Sequence, residues 1–211
     1  MVTNLKQTCG NSEAEERQNY SRMAGTQIIS ATTPDWTREE PQSFWDPGRK
    51  LLRSIRDYQR WRAKGTFFCI IGTKTAIARH WFWSLVTGCE IPLNTSIGGG
   101  LLLPHPLGIV INPNAVIGPN CLIMHQVTFG VAEGKDDAPK IGGHVDIGAG
   151  AKIIGPVRVG DHALIGANAV VLKDVPERMS AIGIPARHIK QKPRPSVPPL
   201  ERSDDEPNTL G

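Results

Sequence analysis

Residues 138–175 read APKIGGHVDIGAGAKIIGPVRVGDHALIGANAVVLKDV, and a large aliphatic residue recurs in them at every sixth position. This series comprises Ile141, Ile147, Ile153, Val159, Ile165 and Val171. A small or branched apolar residue stands four positions after each member: Val145, Ala151, Val157, Ala163, Ala169 and Val175. The same frame continues upstream through Ile111, Ile117, Ile123 and Phe129. A period of six is the hexapeptide repeat that is typical of a parallel β-helix.

Each hexad is interpreted as one short strand followed by a corner. The large aliphatic residue and the small residue four positions later point inward, and the polar residues between them face solvent. Three hexads close one triangular coil of about eighteen residues, and each coil is stable only when it stacks on the next. An α-helix would need apolar residues at every third or fourth position, and this pattern lacks them. The predicted fold is therefore mainly β, with about five coils.

The repeat is interrupted twice. The series Ile91, Ile97, Leu103 and Ile109 also steps by six, but the frame then slips by two to Ile111. Residues 131–139 (VAEGKDDAP) contain no repeat and predict a loop extruded from the coil. Loops on a regular scaffold often carry functional groups, so both irregularities are candidate positions for a site.

The chain of 211 residues is long enough for one domain with appendages. The predicted segments are a flexible N-terminal segment (1–44), a helical region (45–89), the β-helix (90–189) and a disordered, proline-rich tail (190–211). Within the helical region we predict one helix over 45–64, ended by Gly65. A second helix or helical pair follows over 66–88, with a break near Gly72.

Composition limits the class of protein. The net charge of +4 is too small and too scattered to favour nucleic acid as a partner. The cysteines form no CxxC pair, which indicates reduced thiols without disulfides or zinc: Cys9, Cys69, Cys89 and Cys121. No N-terminal signal pattern is visible, and the predicted location is the cytoplasm.

One apolar run, residues 66–86, is the only candidate for membrane contact. Lys74, Arg79 and His80 interrupt it, so we expect no membrane-spanning helix. Peripheral contact through Trp81, Phe82 and Trp83 is the alternative, and the sequence favours a packed helix over it.

Two pairs of histidines follow the repeat. His105 and His125 each stand two residues after an inward residue and are twenty positions apart, which is one coil plus the slip. They are therefore expected to stack on one face. His144 and His162, eighteen apart, form a second stacked pair. The first pair is also a candidate for zinc, but no third ligand accompanies it, and no metal is expected.

The segments HPLGIVI, at 105–111, and GIPAR, at 183–187, resemble the serine acetyltransferase branch of the hexapeptide acyltransferases. The resemblance extends over residues 53–189 and includes SIRDYQRWRAKG and CEIP. It implies a left-handed β-helix, a homotrimer with active sites between neighbouring coils, and acetyl-CoA as cosubstrate. This handedness is opposite to that of ordinary parallel crossovers and is implied by the resemblance alone.

The resemblance also implies roles for particular residues. His105 would be the general base, and Glu90, where the family usually has Asp, would orient its ring. A backbone N–H near Gly130 would stabilise the oxyanion. For acetyl-CoA the candidates are Ala149 and Ala167, which stand eighteen apart, and the cations Arg187 and Lys190 for its phosphates.

The chain departs from the family where the acceptor would bind. Pro104 precedes His105 where the family has Asp, and Asp137 and Ala138 replace an Arg-His pair before Pro139 and Lys140. The lost groups are those that would meet the charges of serine.

These departures leave the acceptor open. It is either L-serine or, as in a short branch that acetylates surface polysaccharides, a sugar hydroxyl. The candidate acceptor-binding residues are His125, Gln126 and Asn112. A catalytically inactive trimeric scaffold is the third alternative.

Overall fold

Three parallel sheets form the faces of a triangular prism in the computed structural model, which describes residues 29–64, 67–134 and 137–191. The described residues lie within one compact unit, Ile29–Gln191. Residues 1–28 and 192–211 lie outside the described part. The predictions for residues 1–28, for Cys9, for the tail beyond Gln191 and for Lys135 and Asp136 of the loop therefore fall on residues that the structure does not describe.

From β2 to β11, each face collects every third strand of the chain. The first face contains β1 (Ser96–Ile97), β3 (Val116–Ile117), β6 (Lys140–Ile141) and β9 (Arg158–Val159). The second contains β4 (Leu122–Ile123), β7 (Asp146–Ile147), β10 (Leu164–Ile165), β12 (Met179–Ile182) and β13 (Arg187–Lys190). The third contains β2 (Val110–Ile111), β5 (Thr128–Gly130), β8 (Lys152–Ile154) and β11 (Val170–Val171).

The strands pair in parallel throughout, except that β13 runs antiparallel to β12 at the end of the second face. Single bridges add Glu90 beside Val110, Leu102 beside Leu122 and Val175 beside Val159. The described residues thus complete five coils of a left-handed parallel β-helix, which confirms the β-helix predicted from the six-residue period and the handedness implied by the resemblance.

The inward series fills the axis of the prism. Ile123, Val127, Val145, Ile147, Ala151 and Ile153 are all fully buried. Phe129, the largest of the fully buried side chains, lies in register between Ile111 and Ile153 of the coils on either side. Cys121 is also inward, and burial raises the pKa of its thiol to about 12, so it remains protonated near neutral pH.

Strand register locates both interruptions of the repeat. Leu102 pairs with Leu122, an offset of twenty, whereas Val110 pairs with Thr128, an offset of eighteen. The two extra residues therefore lie in the corner between Leu102 and Val110, which contains His105. The second irregularity lies between β5 and β6, where the loop at 131–139 leaves the coil.

Two helices precede the coils. The first, Pro47–Lys64, buries Leu51, Leu52 and Ile55 in the same core as the first coils. The second, Phe67–Thr87, is continuous, so the predicted break near Gly72 is wrong. A Cβ at Gly72 would lie 2.6 Å from the Trp61 ring, so the glycine allows the two helices to approach closely. Among the described residues, no helix is long and apolar enough to cross a membrane.

Residues 29–44 were expected to be flexible, but the structure docks them on the corner between the first and second faces. The side chain of Asn120 is buried there and donates through Nδ2 to the carbonyl oxygens of Ser30 and Thr33, both at 2.7 Å. Its Oδ1 accepts from the Asp35 N–H at 2.7 Å. A short 3-10 helix, Trp36–Glu39, follows, and Glu39 forms a 2.8 Å ion pair with Arg56 of the first helix. A buried side-chain amide must be satisfied by hydrogen bonds. The bonds that satisfy Asn120 therefore hold residues 30–35 against the prism.

Substitution of Gly118 by alanine is expected to destabilise the fold by about 1 to 3 kcal/mol. A Cβ at this corner would lie 2.4 Å from the Gly142 carbonyl oxygen of the next coil, and backbone rather than a movable side chain would have to yield. Denaturant unfolding measures the effect. Gly130→Ala is the matched control, since its added Cβ would find only Ile154 Cδ1, at 3.9 Å. Equal stability of the two variants would contradict the tight stacking of corners.

Candidate active site

The corner between the second and third faces brings together residues from four coils; we call it the His105 edge, and it comprises residues 104–109, 124–127, 148–151 and 166–169. The register of the second face places His105, His125, Ala149 and Ala167 in one column. Backbone hydrogen bonds hold the stack: the Gly150 N–H donates to the His125 carbonyl at 2.9 Å and the Asn168 N–H to the Ala149 carbonyl at 2.8 Å. The edge therefore presents two imidazoles above two small residues.

The two imidazoles pack edge to face. Their ring centroids lie 6.3 Å apart with an interplanar angle of 73°, which agrees with the stacking that their spacing predicts. His105 is exposed, whereas His125 is half-buried. Nδ1 of His125 is buried and has no hydrogen-bond partner among the described residues. His105 is thus the imidazole that an incoming hydroxyl can reach, and His125 supports it from below.

The predicted contact between Glu90 and His105 is absent from the structure. Glu90 pairs through its backbone with the third face, where its N–H donates to the Ile109 carbonyl at 2.7 Å and its carbonyl accepts from the Ile111 N–H at 2.9 Å. Within the described part of the chain its exposed carboxylate makes no hydrogen bond or ion pair. The two extra residues of the slip bulge His105 out at the corner, whereas Glu90 stays on the adjoining face.

Sequence reasoning missed a cation at this edge. Gln126 adopts a left-handed backbone conformation, with φ of 58°, and its carbonyl accepts a 2.6 Å hydrogen bond from Nζ of Lys152. Lys152 stands just before the inward Ile153, on the outer side of the third face. Its position directly after the small residues of the edge was the available signal. The ammonium group places positive charge beside Gln126, the chain neighbour of His125.

Asn112 and Gly130 lie at a different corner, between the third and first faces. Oδ1 of Asn112 accepts from the Asn114 N–H at 2.9 Å and so stabilises its own turn. Gly130 ends β5, and its carbonyl accepts from the Gly155 N–H at 3.0 Å. The loop at 131–139 leaves from this corner, where Ala138 is buried and Asp137 exposed. Within a single prism, Asn112 and Gly130 therefore lie on a different corner from His105.

The two predicted phosphate-binding cations lie on β13. Arg187 pairs with Ile182, near the His105 edge, and Lys190 pairs with Met179, at the far end of the strand. Both are exposed. Because they are three positions apart in a strand, their side chains project from opposite sides. Arg187 is consequently the better placed of the two.

No group of three or more His, Cys, Asp or Glu side chains in the described residues is arranged to hold a metal ion. The second histidine pair stacks as its spacing predicts, with Nδ1 of His144 and Nδ1 of His162 2.7 Å apart. This pair lies on the corner between the first and second faces, away from the His105 edge.

Comparisons with known proteins agree with this geometry. The family model described as bacterial transferase hexapeptide (six repeats) matches residues 138–173. The serine acetyltransferase of Helicobacter pylori (strain J99) is 40% identical over 129 residues, which cover 60% of this chain and 72% of that protein. The serine acetyltransferase of Synechococcus elongatus is 39% identical over 122 residues, covering 56% of this chain but only 49% of that protein. The chain thus spans about half the length of that relative.

Solved structures show the same relationship. A serine acetyltransferase of Neisseria gonorrhoeae in complex with serine superposes with a TM-score of 0.58 and 37% identity, covering 68% of this chain and 57% of that one. A serine acetyltransferase in complex with CoA superposes with a TM-score of 0.58 and 35% identity, covering 69% and 58%. Given its five-coil prism and its identity to these proteins, the chain belongs to the serine acetyltransferase family.

Proposed function

We propose that the protein transfers the acetyl group of acetyl-CoA to an acceptor hydroxyl. The observation that carries this proposal is the column of an exposed His105 above His125, Ala149 and Ala167. It supplies one accessible base at the end of a track of small residues. Catalytic inactivity, the scaffold alternative, has no support from the relatives, which are named as enzymes.

In the proposed mechanism, neutral His105 takes the proton of the acceptor hydroxyl as its oxygen attacks the thioester carbon. The resulting tetrahedral oxyanion is stabilised by backbone N–H groups, for which Gly130 is the candidate. When the carbon–sulfur bond breaks, the imidazolium returns the proton to the CoA sulfur. The products are the acetyl ester and free CoA. Glu90 as the group that orients the ring stays a prediction, since its carboxylate does not reach the imidazole in the isolated chain.

We propose that the site is completed by a neighbouring protomer of a homotrimer. The site residues predicted from the sequence fall on two corners of one prism: His105, Ala149 and Ala167 on one, Asn112 and Gly130 on another. A cleft between two adjacent prisms would bring these corners together. Acetyl-CoA would then lie against Ala149 and Ala167, with Arg187 and Lys190 as the candidates for its phosphates.

L-Serine is the acceptor that the relatives favour, because one related protein was solved in complex with serine. Lys152, beside Gln126, offers a cation for the serine carboxylate. A sugar hydroxyl is the second candidate acceptor, and the composition of the loop at 131–139 favours it. Ala138 is buried and Asp137 is acidic, so neither of these two positions supplies the cation that the family has there. His125 and Gln126 would serve either acceptor by hydrogen bonding.

A CoA-thiol release assay with acetyl-CoA and a panel of acceptors tests the proposal. We expect release that depends on the acceptor, and a kcat/KM for L-serine at least about tenfold above that for each sugar. A sugar that turns over faster than serine would overturn the serine assignment but leave acetyl transfer intact. Release that no acceptor accelerates would contradict the proposed activity.

A further inference from the structure

The second helix presents an apolar side to solvent, which we call the exposed helix face. Its members are 39 to 69% exposed: Ile70, Ile71, Ile77, Trp81, Phe82, Leu85 and Val86. Trp81 and Leu85, one helical turn apart, are the most exposed of them, at 69% each. Contiguous apolar surface with such large side chains marks an interaction site on a protein of this kind.

The opposite side of the same helix already has its partners. Ala76 is buried, Gly72 lies against the Trp61 ring, and His80 Nε2 contacts the Ile91 carbonyl oxygen at 2.9 Å. Burial lowers the pKa of this imidazole, which therefore stays neutral near pH 7. The packed helix favoured by the sequence is thus packed on one side only, and the exposed helix face has no partner among the described residues.

Aromatic side chains extend this surface beyond the helix. Phe44 and Trp45 are 89 and 62% exposed. The Trp45 and Phe82 rings each pack against Trp83, with centroids 5.7 and 5.0 Å apart. The Lys50 ammonium lies 4.7 Å from the centroid of the Phe44 ring. A cation among exposed aromatic rings is characteristic of side chains that lie at the headgroup level of a bilayer.

Contrary to the scattered charge expected from the sequence, positive charge is concentrated in these two helices. Residues 47–87 contain nine Lys and Arg residues but a single acidic residue, Asp57. The segment therefore carries a net charge of +8, while the whole chain carries +4, so the remainder is net negative. Asp57 is engaged with Arg79 at 2.9 Å, and Lys74 is exposed within the exposed helix face. The apolar surface thus belongs to the most cationic part of the molecule.

We propose that the exposed helix face docks on an anionic lipid bilayer, with the second helix lying in the plane of the interface. Trp81, Phe82 and Leu85 would enter the headgroup region, and the surrounding cations would meet anionic headgroups. A second copy of the chain fits this surface poorly, because it would bring together two cationic segments, each about +6 once Asp46 and Glu39 are counted with their partners Arg49 and Arg56. The proposal goes beyond the proposed acetyl transfer and does not depend on it.

Vesicle co-sedimentation of the 211-residue chain tests this docking. The probes are vesicles of phosphatidylcholine alone and vesicles of equal parts phosphatidylcholine and phosphatidylglycerol. We expect binding to the anionic vesicles that weakens with added salt. The paired substitution Trp81→Gln and Leu85→Gln should reduce partitioning by about tenfold or more. The control pair Leu172→Gln and Ile189→Gln, at apolar residues exposed elsewhere, should leave it unchanged.

Three outcomes would overturn the proposal: no binding of the unmodified chain to anionic vesicles, equal binding to both kinds of vesicle, or equal loss in the test and control pairs. Sedimentation equilibrium without lipid can give a fourth outcome that would overturn it. If the Trp81→Gln, Leu85→Gln variant keeps its circular dichroism spectrum but loses an assembly that the unmodified chain forms, the exposed helix face is an interface between copies.

Discussion

Replacement of His105 by alanine is expected to lower kcat for acetyl transfer by about a hundredfold or more, the usual scale for loss of a general base. A hydroxyl is a weak nucleophile near neutral pH, so the acceptor oxygen needs a base as it attacks the thioester. His105 is the exposed imidazole of the His105 edge and makes no side-chain hydrogen bond among the described residues. The variant should therefore keep its folded stability while it loses activity, as measured by CoA-thiol release and thermal unfolding.

His188→Ala is the matched control, because His188 is an exposed histidine of β13 to which no role is assigned. It should retain kcat within about twofold, as is usual for a surface side chain away from the reacting atoms. Near-normal turnover by the His105→Ala enzyme would remove this imidazole from the mechanism. A fall in kcat that accompanies a large loss of thermal stability would show a structural role instead.

Substitution of Phe129 by alanine is expected to reduce the free energy of unfolding by about 3 to 5 kcal/mol. The ring is 1% exposed and lies on the axis of the prism, in register with Ile111 above and Ile153 below. Each coil of a solenoid is stabilised by its neighbours, so a cavity in the central coil weakens both adjoining interfaces. Urea unfolding followed by circular dichroism measures the change.

Leu172→Ala is the control for this substitution, because Leu172 is an apolar residue of the prism that is 54% exposed. Its loss should change stability by no more than about 0.5 kcal/mol. If the two variants unfolded at the same urea concentration, Phe129 would not be a core residue and the inward frame of the repeat would be misplaced.

The prism could be predicted because its physical signal is local and repeated. Each inward position, such as Ile147 or Ile153, is constrained in the same way by the coils on both sides, so the period appears directly in the sequence. The two-residue slip before Ile111 was equally visible, and it placed His105 above His125. Backbone register follows from counting residues once the period is known.

Contacts made by single side chains could not be predicted in this way. Nothing in the repeat distinguishes Asn120 from other corner residues, yet its buried amide holds residues 30–35. The family resemblance implied that Glu90 orients His105, but neither a resemblance nor counting residues determines how far a corner bulges. Gly72 was read as a helix break, whereas it is a contact point for Trp61. Lys152 was overlooked because its hydrogen bond to Gln126 joins neighbouring coils.

The six-residue period also does not reveal that the predicted site residues are divided between two corners of the prism. Asn112 follows an inward residue by one position and His105 by two, but the two residues lie on different corners of the prism. Whether two corners meet depends on assembly, which is a property of outer surfaces. These surfaces carry varied polar residues and do not follow the repeat.

A crystal structure of the protein with bound CoA tests most directly whether the His105 edge is the site of acetyl transfer. We expect the CoA sulfur within hydrogen-bonding reach of the His105 imidazole and the pantetheine arm along Ala149 and Ala167, in a cleft that a second protomer closes. CoA bound away from the His105 edge, or His105 covered by protein on every side in the assembled molecule, would contradict the account.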